Sequence, residues 1–170
     1  MLLRSATSAG VSDEQLAAHV ESAAQRSEDD RSGQAYVDRA VTLYHRDWWR
    51  LANEREMMRL ARTEFFQEYD LFLCPTSSSA AFPHDQEGDR FDRTLPINGG
   101  RRLGADQLFW AGLSGEVHLP STVAPAGLTK SGLPCGLQIV GDFLQDRTCI
   151  EFARLMSQEL GGFVPPPGYE

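Results

Sequence analysis

Hydrophobic and polar positions along this chain follow two different periods, and the change from one to the other outlines the elements. In "SDEQLAAHVESAAQR" apolar residues return at helical spacing, and Ser12 followed by Gln15 forms a capping box. Asp13 and Glu14 between them suit the positive end of a helix. After the break "DDRSG", a longer pattern begins. Val37, Val41, Tyr44, Trp48, Leu51, Met58, Ala61 and Phe65 recur at near-helical intervals with arginines and glutamates between them. The spacing predicts one helix over residues 33–67, roughly 50 Å long at about 1.5 Å per residue. With Trp48 and Trp49 side by side, such a helix is expected to pack on more than one surface.

Beyond it the period shortens. "YDLFLCP" is a continuous apolar run ended by Pro75, the pattern of a strand buried on both faces. The next twenty or so residues, "TSSSAAFPHDQEGDRFDRT", carry no period, and a loop that long in a compact domain is usually functional or mobile. "LPINGGRRL" holds Asn98-Gly99, a strong hairpin signal, and "DQLFWAGLSG" reads as a short helix. "STVAPAG" and "LPCGLQIVG" predict an irregular hairpin around the turn "LTKSG", with proline and glycine at ends and bulges. "QDRTCIEFARLMSQELGG" predicts an amphipathic helix with Ile150, Ala153, Met156 and Leu160 on one face and Gly161 as cap. The tail "FVPPPGYE" reads as extended. The expectation is one α/β domain over residues 1–170.

Composition narrows the function classes. At 170 residues the chain is long enough for a real core, and a net charge of −8 argues against a nucleic-acid partner. No stretch approaches a membrane span and the N-terminus lacks the apolar core of a signal peptide, so a cytoplasmic setting without a membrane partner is expected. Cys74, Cys135 and Cys149 form no C-x-x-C pair, which favours buried, inert thiols over a metal site or disulfide framework. No metal or cofactor is expected.

Candidate chemistry is sparse. Ser77, Ser78 and Ser79 lie just past a strand, a common place for a nucleophile, but no glycine-rich elbow surrounds them. His19 and His45 fall on helices and read as surface or packing residues. His84 beside Asp85 reads as half of a base–orienter pair, although adjacent residues rarely orient each other that way, and His118, before the Leu119-Pro120 corner, reads as facing a cleft. Serine–lysine chemistry needs a lysine that loses its proton near neutral pH. Of sixteen basic residues only Lys130 is a lysine, and it sits in an exposed turn. Asp85, Glu87, Asp89 and Asp92, broken by Arg90 and Arg93, lack calcium-loop spacing and read as a solvated loop.

Two longer stretches are recognisable together: "HRDWWRLANEREMMRLARTEFFQEYDLFLCPTSSSAAFPHD" and "LPSTVAPAGLTKSGLPCGLQIVGDFLQDRTCIEFARLMSQEL". They resemble the C-terminal third of amidase signature enzymes, over roughly residues 30 to 160. The proline- and glycine-rich "GLPCGLQIVG" carries most of the specificity. Ser121 departs from the alanine or glycine common at that place. The resemblance implies the C-terminal part of the amidase signature fold, a mixed β-sheet flanked by helices with a long helix near the N-terminus. It also implies amide hydrolysis by a Ser–cis-Ser–Lys triad lying N-terminal to the matched region, so no catalytic residue is assigned in this chain. A C-terminal fragment, inactive alone, is therefore expected, with a homo-oligomer or a complementary chain covering its open sheet. A small amide would be its substrate only once it is joined to an N-terminal half. The resemblance further places Asp106 and Trp110 near the wall of the acyl-side substrate pocket, although Trp110 reads equally as core and Asp106 as a helix-start acid. Two alternatives remain: a non-catalytic binding or assembly subunit on the same scaffold, and a stand-alone hydrolase using Ser77, Ser78 or Ser79 with His84 or His118.

Overall fold

The computed structural model describes residues 1–88, 91–166, 168 and 169. Asp89 and Arg90 of the acidic string, and Pro167 and Glu170 of the tail, lie outside the described residues. The chain is described as two compact units, Met1–Met57 and Met58–Glu170.

The first unit is helical. Helix α1 covers Leu2–Ala6, followed by a 3-10 turn, and α2 covers Asp13–Gln25. The Ser12–Gln15 capping box forms in full: the Gln15 N–H donates to Ser12 Oγ at 3.2 Å and the Ser12 N–H to Gln15 Oε1 at 3.0 Å. Helix α3 spans Gly33–Val41, with Ser32 Oγ accepting from the Ala35 N–H. The single helix expected over 33–67 is in fact two, because α4 begins anew at His45 and runs to Phe65. At the break, the Thr42 N–H and hydroxyl both bond to the Asp38 carbonyl, at 3.0 and 2.8 Å, closing α3. The Tyr44 carbonyl then accepts from the N–H groups of Asp47 and Trp48, both at 2.9 Å, and Asp47 sits in the new first turn. No residue of α4 is buried and Trp49 is 60% exposed; the part of the helix from Met58 on belongs to the second unit, where Phe65 meets the Phe72 ring edge-on and Thr63 Oγ1 donates to Asp142 Oδ1 at 3.3 Å.

The second unit is built on a three-stranded sheet in the order β1-β5-β4, from β1 (Phe72–Pro75), β4 (Ser121–Leu128) and β5 (Pro134–Val140). Both pairings are antiparallel, with Leu73 opposite Ile139 and Thr122 opposite Ile139 on the other side. The α/β class holds, but no parallel pairing of a mixed sheet occurs among the described strands. The β4–β5 register shifts between Pro125 and Gly127, the bulge that the proline and glycine pattern anticipates.

Successive β5 residues point to opposite faces and found two small cores. Val140 packs with Cys74, Val117 and Leu119, joined by Phe66, Phe72, Trp110 and Leu113. Ile139 packs with Ala124 and Cys149, joined by Leu71, Phe152, Ala153 and Met156. Helix α5 (Leu108–Gly115) therefore serves one face, and α6 (Asp146–Leu160) the other. The inward stripe of α6 is Cys149, Phe152, Ala153 and Met156; Ile150 and Leu160, expected inside, are each 58% exposed. The reason is Gly141, whose missing Cβ would lie 2.7 Å from Cys149 Sγ, so the helix docks on its cysteine. Burial on both faces holds for Gln138, Ile139 and Val140, but β1 is an edge strand and Leu73 is 44% exposed.

Between these elements β2 (Thr94–Ile97) and β3 (Gly100–Leu103) pair as a separate hairpin. Asn98 at φ 52° and Gly99 at φ 80° give the turn its two left-handed residues. A 3-10 turn, Gly104–Gln107, leads into α5, and Gly161 at φ 88° ends α6 as expected. Among the described residues, no helix is long and apolar enough to cross a membrane.

Candidate functional site

The loop after β1 is where polar chemistry concentrates in the second unit. Strand β1 ends at Pro75, and the chain turns through Thr76, Ser77, Ser78 and Ser79 onto the 3-10 turn before α5. There Gln107 is buried, with 9% exposure, and its side chain organises the serines. Ser77 Oγ donates to Gln107 Oε1, as do the Ser79 N–H at 3.1 Å and Ser79 Oγ at 3.3 Å. Ser78 Oγ donates to the Asp106 carbonyl at 3.3 Å. None of these hydroxyl contacts runs to a histidine or lysine, the base a serine nucleophile needs.

The other candidates lie elsewhere. His84 and His118 are exposed, the latter at φ 58° in the corner before Leu119. His45 is exposed and accepts from Trp49 Nε1 at 3.0 Å. Lys130 is exposed in the β4–β5 turn, which Thr129 closes: its carbonyl accepts from the Gly132 N–H, and its Oγ1 accepts from the Leu133 N–H, both at 3.0 Å. In the acidic loop the Asp85 carboxylate accepts the Glu87 N–H at 3.0 Å, serving the loop's own backbone.

Asp106 is exposed beside Gln107, and only its carbonyl is engaged by the serine loop. Trp110 is half-buried against the Cys74–Val140 core. Its carbonyl accepts from Gln138 Nε2 at 3.1 Å, which ties α5 to the central strand. The thiols of Cys74 and Cys149 are buried, and burial above all pushes both upward from ordinary thiol values. Such thiols stay protonated and unreactive.

In the first unit, sequence reasoning misses an ionic centre. Asp38 is fully buried and its two oxygens receive four donors. His19 Nδ1 and Gln34 Nε2 lie 2.8 Å from Oδ1; Ser22 Oγ and Arg26 Nε lie 2.6 and 2.9 Å from Oδ2. Burial alone would raise the Asp38 pKa, but the bonds from Ser22, His19, Gln34 and Arg26 outweigh it and hold the group well below the usual carboxylate range. Arg26 reaches on to Asp30 at 2.8 Å, and Arg39 caps the carbonyls of Ser27, Glu28 and Asp30. The arrangement neutralises charge and pins the α2–α3 connection.

The family model for amidases matches residues 12–150. The chain belongs to the amidase family. Among its relatives, the A-subunit of the glutamyl-tRNA(Gln) amidotransferase of Exiguobacterium sp. is 31% identical over 112 residues, which is 66% of this chain and 21% of that protein. The corresponding protein of Prochlorococcus marinus is 33% identical over 102 residues, 55% of this chain and 17% of that one. In fold, a crystal structure of an amidase superposes with a TM-score of 0.58 at 20% identity, covering 87% of this chain and 33% of its own. A structure described as a vestigial protein complex revealing the origins of an s-triazine catabolic enzyme gives 0.59 at 18%, covering 94% and 34%. This amidase chain thus spans about a fifth of the length of the curated relatives it matches.

Proposed function

We propose that this chain is the C-terminal part of an amide-hydrolysing fold, inactive alone and active only with a complementary N-terminal amidase half. The observation that carries the reading is the position of Lys130. A lysine acts as base when burial makes its charged form costly, whereas Lys130 stands exposed in a turn. The hydroxyls of Ser77, Ser78 and Ser79, bonded to Gln107 and to main-chain carbonyls, support the same conclusion. Residues 1–170 then act as one partial amidase domain in the cytoplasm. They contribute structure and the wall of a small-amide pocket, with Asp106 and Trp110 placed along it.

The test pairs the chain with an N-terminal amidase half and follows hydrolysis of simple amides, with fluorophosphonate labelling read by intact mass. The expected result is no turnover and no added mass for the chain alone, and turnover after pairing. Labelling of the isolated chain at one equivalent would overturn the reading.

A second reading, a non-catalytic assembly subunit on the same scaffold, is favoured by the likeness to a protein described as part of a vestigial complex. It expects a stable oligomer and no activity after pairing.

A further inference from the structure

A groove of about 410 Å³ opens in the second unit between the chain entering β1 and helix α6. Leu71, Phe152 and Leu155 give it an apolar lining. Leu71 and Phe152 also pack against the Ile139–Cys149 core, and Leu155 is 46% exposed. The charged residues of the groove are Asp70, Arg147 and Glu151. Glu151 is already satisfied, its two oxygens taking Arg154 donors at 2.6 and 2.8 Å. Asp70 and Arg147 are exposed, and neither has a hydrogen bond or ion pair among the described residues, even with the other. The groove thus holds two opposite, unpaired charges beside one apolar lining.

We propose that this groove binds a free amino acid with an apolar side chain. The carboxylate of the ligand meets Arg147, its ammonium meets Asp70, and its side chain lies on Leu71, Phe152 and Leu155. Charge complementarity selects the zwitterion. A simple anion drawn to Arg147 would share the groove with the Asp70 and Glu151 carboxylates, and a simple cation drawn to Asp70 would share it with Arg147. A molecule bearing both charges meets an opposite charge at each end. The planar guanidinium matches a carboxylate with two parallel N–H donors. Exposed ion pairs are weak one by one, so affinity depends on apolar contact as well. An aliphatic side chain such as that of leucine covers carbon that water otherwise wets. A ligand held in this way binds with a Kd on the order of 1 mM. The groove uses none of the amide chemistry proposed above, and its test is independent of that reading.

The experiment follows the backbone amide resonances of the full chain while leucine is added at constant ionic strength and about pH 6.5, which keeps amines protonated. Three further probes each omit one contact: glycine lacks the side chain, leucine methyl ester the carboxylate, and N-acetylleucine the ammonium. A saturable shift at Leu71, Arg147 and Leu155 is expected with leucine, and binding weaker by roughly threefold or more with each of the other three. Arg147→Gln should weaken leucine by a similar factor and leave leucine methyl ester unchanged. Asp70→Asn should weaken leucine and leave N-acetylleucine unchanged. The proposal is overturned if leucine gives no saturable shift, if any of the three probes binds as tightly as leucine, or if either variant binds leucine as the wild type does. The wild-type series decides the matter even if a variant does not fold.

Discussion

His19 Nδ1 lies 2.8 Å from Asp38 Oδ1, and the carboxylate it serves is fully withdrawn from solvent. Because a carboxylate only accepts, His19 donates from Nδ1, one of four donors shared two to each oxygen. The pair joins α2 to α3, beside the buried Ala35, Val37 and Ala40 of α3.

Asp38→Ala removes the acceptor of all four bonds and leaves Arg26 and His19 facing an apolar gap. The expected loss is about 3 kcal/mol of stability in the first unit, the lower end for a broken buried pair. Hydrogen exchange of the α2 and α3 amides reports it; protection equal to wild type would show that the network is ornamental.

The same centre sets an acid limit. Asp30 is held at about 2, first by the Ser32 N–H and then by Arg26, and Asp38 is depressed further despite its burial. Carboxylates depressed in the folded state add stability that is complete above their unfolded values near 4 and is lost as pH falls through the folded ones. Protection of α2–α3 should decline as pH falls below about 4. Asp38→Asn, lacking one of the two titrating groups, should show a shallower decline.

At the α6 interface, Gly141→Ala places a methyl 2.7 Å from the buried Cys149 Sγ. Overpacking of this kind costs about 2 kcal/mol. The double variant Gly141→Ala, Cys149→Ala should recover part of the loss in urea unfolding, since the clash partner is gone; strictly additive losses would place the strain elsewhere.

The three free thiols should separate by accessibility. Cys135 is half-buried, whereas Cys74 and Cys149 are enclosed and shifted upward by burial. Native labelling with iodoacetamide should add mass at Cys135 first, with Cys74 and Cys149 reacting once urea opens the chain. Rapid native labelling at Cys149 would mean that α6 does not stay docked.

Lys130→Ala tests the central functional claim from the opposite side. In a paired, active complex it should leave the rate of amide hydrolysis within about twofold, the behaviour of an exposed turn residue without a catalytic role. A loss of activity would return the lysine to the chemistry.

Local signals in the sequence are the ones that translate directly. The Ser12–Gln15 box, the Asn98-Gly99 turn, the Pro125–Gly127 irregularity and the Gly161 cap each depend on neighbours a few residues away, and each forms. The break between α3 and α4 is hidden because neither glycine nor proline marks it; Thr42 ends the helix by bonding back to the Asp38 carbonyl. The inward stripe of α6 escapes the pattern because hydrophobicity ranks Ile150 above Cys149, while the site of docking is chosen by the missing side chain of Gly141, just past the end of β5. Asp38 and Gln107 are invisible for a related reason. A polar residue reveals itself as buried only through its donors, and those of Gln107 lie 28 or 30 residues away.

The two borders of the three-stranded sheet differ in kind. The β4 border carries Pro125 within the strand and a register shift, features that spoil a template for a further strand, whereas β1 is regular with Leu73 uncovered and holds its proline, Pro75, as its last residue. Pro75 has no N–H to give a further strand, so the regular stretch open to pairing at this border is only Phe72–Cys74.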